Sequence, residues 1–103
     1  MNIKLRADFL QIVEEILTRF VPEYEVRVFG SRANGTPKKY SDLDLVIMTE
    51  KSLEIKRMAF LKNAFSESNL PIKVDIVDWS SIDKGFKDII DDESVPFLPA
   101  GRE

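Results

Sequence analysis

The sequence predicts an α+β fold in two layers, with helices covering a small sheet. Three observations predict it. Apolar residues recur at helical spacing over residues 3–20 and again over 52–68. Three short apolar or alternating runs, at 24–29, 41–48 and 72–77, read as strands. The second and third of these enclose the second helical stretch, the order of a strand–helix–strand crossover between parallel neighbours.

The chain of 103 residues is the length of one domain, 1–103, able to build a two-layer core and no second one. At 44% hydrophobic and 32% charged, it has the composition of an ordinary globular protein. A net charge of −3 gives no basic excess of the kind a long nucleic-acid footprint needs. With no His and no Cys, histidine bases, thiolate nucleophiles, disulfides and conventional zinc sites are excluded. A metal site in such a chain must be built from oxygen, which suits Mg²⁺ or Mn²⁺. The N-terminal stretch carries Asp8 and Glu14 among its apolar residues, unlike a signal peptide or membrane span, so a cytoplasmic location is expected.

In the first helix, Leu5, Phe9, Ile12, Ile16 and Phe20 form the stripe, with Val13 and Leu17 widening it and Pro22 ending it. The first strand places Val26 and Val28 on one face, Arg27 and Phe29 on the other. Gly30 breaks it, and Ser31 is a favoured residue at a helix start. Gly35, Thr36 and Pro37 make a loop, with Arg32, Lys38 and Lys39 adding positive charge around the turn. Ser41–Asp42 opens the next strand. Asp42 and Asp44, two residues apart, point to one face, where like charges repel unless a cation lies between them. A metal ion carrying a polyphosphate is the candidate, with Gly30–Ser31 offering backbone N–H groups to its phosphates.

The second helix runs from Ser52, a candidate cap, to about Ser68, with Leu53, Phe60, Leu61, Ala64 and Phe65 facing inward. In the third strand Ile72, Val74 and Ile76 share a face, and Lys73, Asp75 and Val77 share the other. By itself Asp75 reads as a charge on an edge strand. Asp78 falls at the end of that strand and on the opposite face. A last helix turns Phe86, Ile89 and Ile90 inward, with Ser80 and Asp83 spaced as a capping box. The tail, with Val95, Phe97 and Leu98, is open to two readings, a segment packed back on the fold or an exposed docking element.

The stretch GSRANGTPKKYSDLDL resembles the signature of the nucleotidyltransferase superfamily that includes DNA polymerase beta, Gly-Ser followed about ten residues later by Asp-x-Asp. Gly30, Ser31, Gly35, Ser41, Asp42, Asp44 and Leu45 fall where the pattern expects them. Within the superfamily the chain looks most like the minimal nucleotidyltransferases. The resemblance implies a polymerase beta palm-like fold, a small mixed sheet with helices packed on one face. It implies Asp42, Asp44 and Asp75 as catalytic and metal-binding residues, since the superfamily's third carboxylate lies on the strand after Asp-x-Asp. It implies Gly30, Ser31, Arg32 and Ser41 at the nucleotide and two Mg²⁺ ions, with Mn²⁺ as substitute. The implied reaction moves a nucleoside monophosphate, AMP from ATP, to a hydroxyl. Minimal members are often paired with a helical HEPN-domain protein, so the implied role is an antitoxin that adds AMP to a tyrosine of a HEPN toxin. A non-catalytic antitoxin acting by contact and an antibiotic-type enzyme acting on a small molecule are the alternatives.

Overall fold

The computed structural model describes residues 3, 5–35, 38 and 41–102. Thr36, Pro37 and Lys39, placed in the loop from sequence, lie outside the described residues. The first helix, α1, spans Ala7–Phe20 and so begins after Arg6 rather than at residue 3. Its buried line is centred on Val13 and Leu17, expected only to widen the stripe, while Phe9 and Ile12 lie outside the core cluster. Val13 and Leu17 are fully buried, and Leu10, Ile16 and Phe20 pack against the same cluster.

β1 (Val26–Phe29) alternates buried and half-buried residues and ends at Gly30. One helical turn, α2 (Ser31–Asn34), follows and closes on Gly35, whose φ of 85° is left-handed. β2 spans Leu43–Ile47, so Ser41 and Asp42 lie just before the strand rather than within it. α3 covers Ile55–Ser66 and is capped at Glu54 without a side-chain hydrogen bond. Ser52 is therefore not its cap, and its hydroxyl lies 3.0 Å from that of Ser81. Leu61 and Phe65 are buried as expected, but Phe60 is 61% exposed, because it lies a step round the helix from both.

β3 (Val74–Asp78) leads through a 3₁₀ turn at Trp79–Ser81 into α4 (Lys84–Glu93). Asp83, not Ser80, caps α4, its carboxylate accepting the Phe86 N–H at 2.8 Å. Ile90 is fully buried, whereas Ile89 is half exposed. The tail forms β4 (Val95–Leu98), which pairs with β1 and buries Phe97 and Leu98. That settles the open reading of the tail. It packs back on the fold and adds an edge strand to the sheet, with Phe97 and Leu98 turned into the core.

The sheet has the order β3-β2-β1-β4 and is mixed. β1 pairs antiparallel with β2 and β4, while β2 and β3 are the parallel neighbours that α3 connects. α1 and α3 pack together, and Val26, Val28, Leu43, Leu45, Ile47 and Ile76 join them in one apolar cluster. Arg57 of α3 donates to the Phe20 carbonyl at 2.9 Å and pairs with Glu23, tying the two helices. Fully burying a Leu or Val contributes about 1.5–3 kcal/mol, so this face carries much of the fold's stability. The opposite face bears Arg27, Phe29, Asp44, Val46, Asp75 and Val77. There α4 brings Phe86 edge-on to Phe29, with ring centres 5.6 Å apart. Among the described residues, no helix is long and apolar enough to cross a membrane.

Candidate active site

The parallel register of β2 and β3 sets Asp44 directly beside Asp75. Directly paired residues share a face, so these two carboxylates stand together. On the other side of Asp44, the antiparallel pairing places Phe29, and the chain then turns at Gly30. Gly30 has φ 74° and ψ −158°, a backbone region essentially reserved for glycine. Its bare Cα is also required by space. A Cβ there would overlap Asp44 Oδ2 and lie 3.2 Å from Asp44 Cγ. The glycine-serine turn and Asp44 thus meet across the end of β1, joined by strand pairing rather than by nearness in sequence.

The electrostatics of the pair are unfavourable in the free protein. Burial raises the pKa of Asp44 above the usual aspartate value, the charges of Asp75 and Asp42 raise it further, and Lys73 partly offsets them. Asp75 is half exposed and pairs with Lys73, Oδ1 to Nζ 3.4 Å. Asp42 is exposed and precedes β2. Among the described residues, no group of three His, Cys, Asp or Glu side chains is arranged to hold a metal ion. Mg²⁺, however, is usually held by one or two carboxylates together with substrate phosphates rather than by an all-protein cage. An all-oxygen donor pair with surplus negative charge, facing a turn bare of side chain, fits a divalent cation that arrives with a nucleotide.

The remaining predicted residues are placed differently. Arg32 is buried, 5% exposed, and its Nε donates to the Ser41 carbonyl at 3.1 Å. The Ser41 hydroxyl accepts the Lys38 N–H at 2.8 Å, and its own N–H donates to the Lys38 carbonyl at 3.1 Å. In this structure both residues brace the approach to β2. Ser31 opens α2, where the Ala33 and Asn34 N–H groups turn back to the Gly30 carbonyl at 3.0 and 3.1 Å.

Asp78 belongs to the core side of the sheet. It accepts hydrogen bonds from the Thr49 hydroxyl, the Leu53 N–H at 2.6 Å, the Ser80 N–H and hydroxyl at 3.2 and 3.0 Å, and the Ser81 hydroxyl at 3.2 Å. Burial alone would raise its pKa, but these hydrogen bonds outweigh burial and hold it below the usual range. Asp78 is a structural clip between β2, β3 and the chain entering α3. Ser80 and Ser81 are donors close by in sequence, whereas the buried bonds from Thr49 and Leu53 come from a distant segment that the local sequence does not reveal.

Residues 10–97 match a family model described as a nucleotidyltransferase domain. The chain belongs to this family and is a nucleotidyltransferase. It is 47% identical over 89 residues to a Haemophilus influenzae protein named as the probable protein adenylyltransferase MntA, covering 86% of this chain and 78% of that one. A solved structure described as a minimal nucleotidyltransferase is 30% identical, with a TM-score of 0.68 over 90% of this chain and 97% of its own. A chain in the complex of tri-AMPylated Shewanella oneidensis HEPN toxin with MNT antitoxin shares the fold, with a TM-score of 0.66 at 18% identity over 88% of this chain and 70% of its own.

Proposed function

We propose that this nucleotidyltransferase is a protein adenylyltransferase and an antitoxin, transferring AMP from ATP to a tyrosine hydroxyl of a HEPN-family toxin. The observation that carries the reading is the 47% identity to a protein named for protein adenylylation. The fold shared with a chain of an AMPylated HEPN toxin–antitoxin complex agrees with it. The side-by-side carboxylates of Asp44 and Asp75 give the reading its chemistry.

Asp42, Asp44 and Asp75 would hold Mg²⁺, two ions in the two-metal arrangement, with Mn²⁺ able to replace it. Such ions, when bound, polarise the α-phosphate and stabilise both the attacking and leaving oxygens. Asp44, between the turn and Asp75, orients the triphosphate. Gly30 and Ser31 contact its β- and γ-phosphates, which approach closely because no side chain stands on Gly30. Arg32 and Ser41, predicted at the nucleotide, act from behind by holding the turn and the start of β2. Asp75, on the outer strand β3, accepts the proton of the acceptor hydroxyl. The hydroxyl oxygen bonds to the α-phosphorus, the bond from that phosphorus to the bridging oxygen breaks, and pyrophosphate leaves.

The division of labour between Asp44 and Asp75 is the test. Asp75→Asn is expected to keep Mg·ATP affinity within about threefold, well under 1 kcal/mol. Its single-turnover transfer of labelled AMP to a HEPN protein should fall by at least about a hundredfold. Asp44→Asn should lose both binding and transfer. Undiminished transfer by Asp75→Asn would remove that residue from the site, and absence of label on any protein acceptor would leave an antitoxin acting by contact.

A further inference from the structure

Three charged residues, Asp44, Asp75 and Lys73, lie together at one corner of the sheet. Asp44 and Asp75 are paired in register. The Leu43 N–H donates to the Lys73 carbonyl at 2.9 Å, which anchors Lys73 at the start of β3, where the ladder begins. Lys73 also shares a strand face with Asp75, two residues on, and its Nζ stands 3.4 Å from Asp75 Oδ1. The ammonium group therefore stands against Asp75, and its charge also acts on Asp44 beside it. The lysine side chain is 72% exposed, on a flexible stem, and the ion pair it makes is of the weak, easily broken kind.

We propose that Lys73 is a tethered counter-ion that occupies the carboxylate face in the free protein and competes with divalent metal for it. The inference rests on the reading of Asp44 and Asp75 as the metal-holding pair. A bare divalent ion must displace the ammonium group and then remain within a few ångströms of it. An ion arriving with a triphosphate brings anionic oxygens to which the ammonium can turn, so the same displacement costs less. Lys73 thereby favours uptake of the metal–nucleotide complex over uptake of metal alone. This residue is a positioning and selectivity element, acting through the carboxylates and not on the reacting atoms.

The test is titration of Mn²⁺ in the absence of nucleotide, followed by the resonance signal of the free ion, on the wild-type protein, Lys73→Met, Lys73→Arg and Asp44→Asn. Removing the positive charge beside the carboxylate pair should tighten Mn²⁺ binding by roughly three- to tenfold in Lys73→Met. Lys73→Arg, which keeps the charge, should bind as the wild type does. With a non-hydrolysable ATP analogue present, the advantage of Lys73→Met should shrink to less than about twofold, as the phosphates take over the lysine. Melting curves check that each variant is folded, which the exposure of Lys73 leads us to expect. Equal Mn²⁺ affinity in wild type and Lys73→Met, with Asp44→Asn weakened, would overturn the counter-ion role and leave the metal site standing. Asp44→Asn binding Mn²⁺ as the wild type does would overturn the site and the inference together.

Discussion

The carboxylate of Asp44 occupies the space that a side chain on Gly30 would need. This contact changes what a substitution of the glycine tests. Gly30→Val cannot simply screen phosphates from the backbone while leaving the fold alone. Gly30→Ala is expected to lower stability by about 1–3 kcal/mol for the backbone region alone. It should also push Asp44 off its position, so nucleotide affinity falls with stability. Urea unfolding and nucleotide titration on the same preparation measure both. An alanine variant as stable as the wild type would mean that the turn relaxes to another backbone conformation.

The crowding of Asp44 by burial, Asp75 and Asp42 leads to a second expectation. A site arranged for a cation is strained without one, and neutralising it stabilises the protein at the expense of function. Asp44→Asn should melt higher than the wild type in metal-free buffer near neutral pH. The order should reverse once Mg²⁺ and ATP are added in excess, because only the wild type gains from binding them, about 2.7 kcal/mol at a hundredfold excess over Kd. A metal-free variant that melts lower would show that Asp44 makes favourable interactions the sheet depends on.

Asp78 is expected to govern acid stability. Its pKa is lowered in the folded protein, so the folded state binds fewer protons than the unfolded chain as pH falls through the carboxylate range. Its contribution is complete above the unfolded aspartate value of about 3.9 and is lost as pH falls through the lower folded value. Asp78→Ala removes the acceptor for the buried Leu53 N–H and should cost about 3 kcal/mol at neutral pH. The variant's stability should then depend less on pH across the acid range. Denaturation curves from neutral to strongly acid pH supply the comparison, and parallel pH profiles would contradict the assignment.

Arg32 distinguishes two roles that the motif alone leaves merged. Were it a phosphate ligand, Arg32→Ala would weaken nucleotide binding with the melting temperature unchanged. Buried and bonded to the Ser41 carbonyl, it is expected instead to cost about 2–3 kcal/mol of stability. Thermal melts and nucleotide titrations separate the two. Unchanged stability with lost binding would return Arg32 to the nucleotide.

Arg102 should matter to stability and not to transfer. It donates to the carbonyls of Leu17 at 3.2 Å and Val21 at 2.8 Å, where α1 ends, and to the Thr18 hydroxyl at 3.2 Å. Its N–H reaches the Pro22 carbonyl at 2.7 Å. Helix-end carbonyls need such donors, and their loss should cost about 2 kcal/mol. Arg102→Ala is expected to melt lower with transfer intact below the transition. A loss of transfer in the still-folded variant would tie this clamp to the site.

The sequence by itself determined the local features. The spacing of Val13 and Leu17 made α1, alternation made β1, and Gly30–Ser31 followed by Asp42 and Asp44 marked the nucleotidyltransferase, because these signals lie within one turn, one strand or one loop. Side-chain parity already put Asp44 and Asp75 each on the polar face of its own strand. Only the tertiary structure decided what stands beside what. Register pairing brought Asp44 against Asp75, since which residues meet across strands depends on hydrogen bonding between segments some thirty residues apart. It turned Arg32 inward, gave Asp78 its donors from Thr49 and Leu53, and drew the tail into the sheet as β4. A polar residue's role follows from its partners, and those partners came from distant parts of the chain that folding alone brings together.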